Sequence, residues 1–179
     1  MKKFVLALAI LLSATSAFTQ TSEHELSMYY MDHPSIVHVN RTAPPEYPKL
    51  VLAPVDKSLD LTGPSDYDLD SGDIFLGYEA DPKNITGDVI YARLKESKLI
   101  ESCLGLADAL AIQAKGAGFF RDFFGNQNIF FWKSVAWFPD GSKAVPYLFE
   151  NKGTVYVNWR KLDSKWDGHS PSLHVSQSP

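Results

Sequence analysis

The stretch Glu96–Phe138, ESKLIESCLGLADALAIQAKGAGFFRDFFGNQNIFFWKSVAWF, decides the fold. Ile100, Cys103, Leu104, Ala107, Leu110, Ala111 and Ala114 recur at steps of three and four, which puts them on one face of a helix. Glu101, Ser102, Asp108 and Lys115 fall on the other side. Ser97 or Ser102 can cap its start, and Gly116 follows Lys115 where a left-handed residue closes a helix most easily. Gly105 is a poor helix former and marks the close approach of another backbone. Phe119, Phe120, Phe123 and Phe124 suit one further helical turn, stopped at Gly125-Asn126. Ile129–Phe138 is too rich in aromatic and β-branched residues for a loop and reads as a strand.

Downstream, Asp140-Gly141 and Asn151-Lys152-Gly153 are turn signals, bounding strands over Lys143–Glu150 and Thr154–Leu162. Val155, Val157 and Trp159 alternate with Tyr156, Asn158 and Arg160, so one face is core and the other partly wet. Pro146 predicts that its strand lies at an edge or carries a bulge. Upstream, Ser35–Asn40 and Asp73–Tyr78 read as strands, and Val89–Leu94 as a strand or the first turns of the main helix. Between them, Pro44, Pro45, Pro48, Pro54 and Pro64 rule out regular helix or central strand, leaving extended chain wrapped on the surface. The expected class is α+β: one long amphipathic helix packed on an antiparallel β-meander, with a Pro-rich extended N-terminal segment.

Residues 1–17 read as a signal peptide: Lys2 and Lys3, an apolar run from Phe4 to Leu12, and small residues up to Ala17. The run is too short to span a bilayer. The rest divides into an extended segment with short strands (18–66), an α+β core of the same domain (67–166) and a disordered tail (167–179). The expected location is secreted or periplasmic. The net charge is -4, and loss of Lys2 and Lys3 makes the mature chain more acidic, which argues against a phosphate-backbone partner. A chain of this length buries roughly 70% of its unfolded surface and can fold without disulfides. A single cysteine makes no internal one.

Three sets of residues can carry function. The first is the aromatic cluster. Neighbours such as Phe119-Phe120 and Phe130-Phe131 cannot both point inward on one regular element, so Phe120, Phe124, Phe131, Trp132 and Trp137 are expected to present a binding surface. Its partner would be a protein, a glycan or a lipid surface. The second is Cys103. A thiol in the first turns of a helix has its pKa lowered by the helix dipole and can act as a nucleophile. The third is the run Asp66, Asp68, Asp70 and Asp73, whose alternating carboxylates can converge on Ca²⁺ at the turn that Gly72 allows. No spacing fits an EF-hand loop. The histidine pairs His33/His38 and His169/His174 are each five apart, which suits neither a helical nor a strand zinc site.

A helix opening with a cysteine and followed by antiparallel strands resembles the core of papain-like and transglutaminase-like cysteine hydrolases. The resemblance implies a nucleophile at Cys103, a base at His169 or His174, or at His33 or His38, and an orienting amide at Asn158. No histidine stands on the strand Lys143–Glu150, where the family places its base. The leading expectation is therefore an exported binding module. A cysteine hydrolase or amidase is the alternative, and a calcium-dependent module a weaker one.

Overall fold

The computed structural model describes residues 35–72, 74–77, 85–166 and 171–176. The expected signal peptide, His33, Asp73 and His169 lie outside the described residues. Apart from Ser35 and Ile36, those described belong to one compact unit.

The class is α+β and mostly antiparallel. Strands are β1 (Ile36–His38), β2 (Ala53–Pro54), β3 (Asp66–Asp68), β4 (Ile74–Gly77), β5 (Ile85–Thr86), β6 (Ile129–Phe130), β7 (Ala136–Trp137), β8 (Lys143–Asn151), β9 (Thr154–Lys161), β10 (Lys165–Trp166) and β11 (Ser172–Val175). The main sheet runs β2-β7-β8-β6-β11-β4, and β9 pairs with the other edge of β8. Two small ladders, β1 with β3 and β5 with β10, complete the pairing.

Two helices stand where one was expected. α1 covers Gly87–Glu96 and α2 covers Leu106–Phe124. Ser97 therefore ends a helix: its hydroxyl donates to the Arg93 carbonyl at 2.7 Å. Cys103 lies before α2, outside any helix, in an isolated bridge to His174. The start is fixed by Gly105 and Asp108. The Asp108 carboxylate accepts the Gly105 N–H at 2.9 Å, and Ser134 Oγ accepts the Leu106 N–H at 2.7 Å. These satisfy donors that a helix start otherwise leaves unpaired. Gly105 does mark a close approach, since a Cβ there would stand 2.9 Å from Ser134 Oγ. Gly116 kinks α2 at φ 88 instead of closing it, and the second piece runs to Phe124 before Gly125 at φ 60.

The strand expected over Ile129–Phe138 is broken into β6 and β7 by a 3-10 turn at Trp132–Ser134. Pro146 explains the break. Its strand is no edge: β8 pairs with β9 on one side and with β6 and β7 on the other. The Pro146 carbonyl accepts the Phe131 N–H at 3.0 Å, but proline has no N–H to return. The missing donor faces the gap where the chain leaves the sheet, and the excursion carries Ser134 to the start of α2.

Both faces of the sheet are covered. On one side, α2 packs through Leu106, Ala109, Ile112, Phe120 and Phe124 against Ile129, Phe131, Leu148, Val155 and Leu173. On the other, α1 packs through Ile90, Tyr91 and Leu94 with Phe130, Trp132, Val145, Leu162 and Trp166. This overturns the inference from adjacent aromatics. Phe130 and Phe131 point to opposite faces and both are buried, because each face has its own core. Phe120, Phe124, Phe131 and Trp132 are core residues, and Trp137 alone of the five is exposed. Past Asp167, Ser172–Val175 are not loose but form an inner strand, parallel to β6 and antiparallel to β4.

Candidate functional site

The Pro-rich front segment is fastened to the start of α2 by buried polar groups. Arg41 donates to Asp108 at 2.5 Å and, through Nε and a terminal nitrogen, to the Pro64 carbonyl at 3.2 and 3.1 Å. The Asp108 side chain is fully buried. Burial pushes its carboxyl above the ordinary 3.8, while the Arg41 guanidinium and the Gly105 N–H pull it back. Lys133, buried beside the pair, is pushed down by the same desolvation and held up by the Asp108 charge. Further along, Tyr47 donates to Asp60 at 2.7 Å, and Ser134 donates to the same carboxylate at 3.4 Å. Arg41, Tyr47, Asp60 and Asp108 thus hold residues 41–60 against α2 and the β6–β7 turn. Sequence reasoning missed this network and placed Asp108 on the wet side of a helix. The signal was present in the spacing Gly105-x-x-Asp108, a glycine at the cap and an acid three residues on.

The segment so fastened forms one wall of a groove of about 560 Å³. Glu46, Pro48 and Leu50 stand on that wall, Leu106, Leu110 and Gln113 on α2, and Phe138 with Tyr156, Val157, Asn158 and Trp159 on the third side. The volume falls within the range of small-ligand sites, about 300–1,000 Å³. Tyr47 and Phe138 flank the Trp159 ring at centroid distances of 6.0 and 5.7 Å. The Trp159 indole N–H has no hydrogen-bond partner among the described residues. Leu50 is 54% exposed and Tyr156 45%, so apolar surface at the mouth meets water. Of the expected aromatic surface, only Phe138 at its end lines the groove. Trp137 points elsewhere, under the Lys143 ammonium at 5.7 Å.

Cys103 and His174 come together across the sheet. The sulfur lies 3.8 Å from Nδ1 and 4.0 Å from Nε2. The Ser102 and Ser172 hydroxyls lie 3.0 Å from Nδ1 and 2.9 Å from Nε2, and the exposed Phe75 ring stacks on the imidazole at 5.3 Å. A neutral imidazole donates from one nitrogen and accepts at the other, and rotatable hydroxyls suit both. The thiol is fully buried and its hydrogen is directed at the Leu99 carbonyl, 3.5 Å away. The expected activation by a helix start is absent, because Asp108 and Ser134 already occupy that end of α2. Nor is Asn158 brought to the pair. It stands on β9, three strands from β11, which at strand spacing is about 14 Å. Its amide serves the Tyr147 hydroxyl and the Trp159 N–H.

The acidic run is spent locally. Asp66 pairs with His38 and accepts from Ser65, and these bonds hold its carboxyl below the ordinary range. Asp68 accepts the Asp70 N–H at 2.9 Å, making a tight turn. Among the described residues no three acidic, imidazole or thiol groups gather as a metal site.

No protein-family model, curated protein or solved structure matches the chain.

Replacing Asp108 with Asn should lower the unfolding free energy by about 3 kcal/mol, because it leaves the guanidinium without its buried partner. The urea midpoint at constant slope reads this. A loss under about 1 kcal/mol would show that the front segment is held by something else.

Proposed function

We propose that the protein is an exported binding module that takes its ligand in the groove between residues 46–50, α2 and β9. The single observation behind this is the open, aromatic-lined concavity of about 560 Å³, walled by a segment that buried ion pairing holds in place. Aromatic and aliphatic lining with a few polar groups is the usual make-up of a ligand site. Gln113, Asn158 and Glu46 supply those groups. No helix among the described residues is long and apolar enough to cross a membrane. Export rests on the Lys2-Lys3 start and the apolar run that follows.

A second reading, a cysteine hydrolase or amidase with Cys103 as nucleophile, is favoured by the 3.8 Å approach of its sulfur to His174. The full burial of the thiol and the distance of Asn158 weigh against it.

Leu50→Arg combined with Tyr156→Ala should at least halve the fluorescence enhancement of 1-anilinonaphthalene-8-sulfonate, an apolar dye suited to such a groove. Both side chains are exposed, so stability should stay within about 0.5 kcal/mol. Unchanged dye binding at unchanged stability would remove the groove as the site. With a chromogenic disulfide reagent, Cys103 should stay unmodified in the native protein and react once denaturant is added. Modification of the folded chain faster than free cysteine would replace the binding module with the hydrolase.

A further inference from the structure

We infer that the groove's ligand is an extended polypeptide segment carrying a basic residue, which adds to the sheet as a strand along the free edge of β9. This deepens the groove reading and rests on it.

The β8–β9 hairpin fixes which backbone groups face outward. Its loop is Lys152-Gly153, with φ of 51 and 83, so Asn151 and Thr154 form the hydrogen-bonded pair that closes the turn. The phase holds to the far end, where the Leu162 N–H donates to the Lys143 carbonyl at 2.9 Å. Even-numbered residues of β9 therefore bond to β8, while Val155, Val157 and Trp159 turn their N–H and C=O outward. Two of these groups are used: Gln113 donates to the Val155 carbonyl at 2.8 Å, and the Trp159 N–H donates to Asn158 Oδ1 at 2.8 Å. Among the described residues nothing takes the Val157 N–H or C=O, and Val157 lines the groove. The stretch Thr154–Trp159 has no charge and no proline, the devices that ordinarily keep another strand off an edge.

A polypeptide matches such an edge, because its own N–H and C=O repeat at the spacing of Val155, Val157 and Trp159. Its alternate side chains would meet Leu50, Leu110 and Trp159. Charge narrows the occupant. Among the residues lining the groove Glu46 alone is charged, and it is exposed with no basic partner among the described residues. A basic side chain complements it. A second copy of this chain would bring another Glu46 and a net charge of -4 to the same place.

The probe is a set of fluorescein-labelled heptapeptides of alternating valine and threonine, with one lysine placed at each position in turn. Two further sets carry N-methyl groups on alternate amides, one set in each phase. Titrated against the full chain by fluorescence anisotropy, at least one lysine peptide should bind at about 10–100 μM. N-methylation in one phase should weaken it about tenfold and in the other phase far less. Glu46→Gln should weaken the lysine peptides about threefold and leave an all-valine/threonine peptide unchanged. Equal binding by both N-methylated sets, or no binding below about 1 mM, overturns the inference. So does a dimer, seen by light scattering, in which the Val157 amide becomes protected from exchange. If the dye still distinguishes the Leu50→Arg/Tyr156→Ala protein while no peptide binds, the groove survives as a site and only the polypeptide ligand fails. If the dye does not distinguish them, both fail.

Discussion

The hydrogen bonds that β8 makes along both of its edges are the constraint from which the rest follows. On one edge β9 pairs with it from the turn to Lys161. On the other, β6 and β7 share the length between them and part where Pro146 offers no donor. Because β8 is central, the residues around it must be buried on both faces, and the chain provides a helix for each. Phe130 with Trp132 and Phe131 with Leu148 then belong to different cores. The same arrangement leaves β9 outermost beside β8, with half of its backbone groups turned away from the sheet.

The break at Pro146 also has a use. The excursion it permits brings Ser134 to the Leu106 N–H, next to the Asp108 carboxylate that caps α2 and receives Arg41. A region with five prolines cannot fasten itself by regular pairing, so its position comes from these side chains and from the short β2 rung. What is fastened there forms a wall over the free edge of β9. Without that wall Tyr156 and Trp159 would lie on an open surface; with it they line a groove.

The hairpin was legible in the sequence because two local signals agreed: alternation over Thr154–Leu162 and a turn with glycine at its second position. The class and the short strands near Ile36 and Ile74 were legible for the same reason. The helix start was not, because the apolar spacing runs unbroken from Ile100 to Ala114 while the cap at Gly105 and Asp108 sits inside it. Aromatic neighbours were taken for surplus because one covered face was assumed. The neighbours of Cys103 were legible only in part. The tail histidines were candidates for its base, but a bridge to a residue 71 positions away leaves no local pattern. His174 also sits on a four-residue strand beside a proline, too short to announce itself. The groove was invisible for a related reason, since its three walls come from distant parts of the chain.

Amide hydrogen exchange resolved along β9 tests most directly that this strand keeps one edge free. The Val157 amide should exchange within about tenfold of an unstructured peptide, while the Tyr156 and Asn158 amides, bonded to β8, exchange orders of magnitude more slowly. Protection of Val157 equal to that of its two neighbours would mean that the edge is already taken, and the groove beside it would not be a place for a ligand.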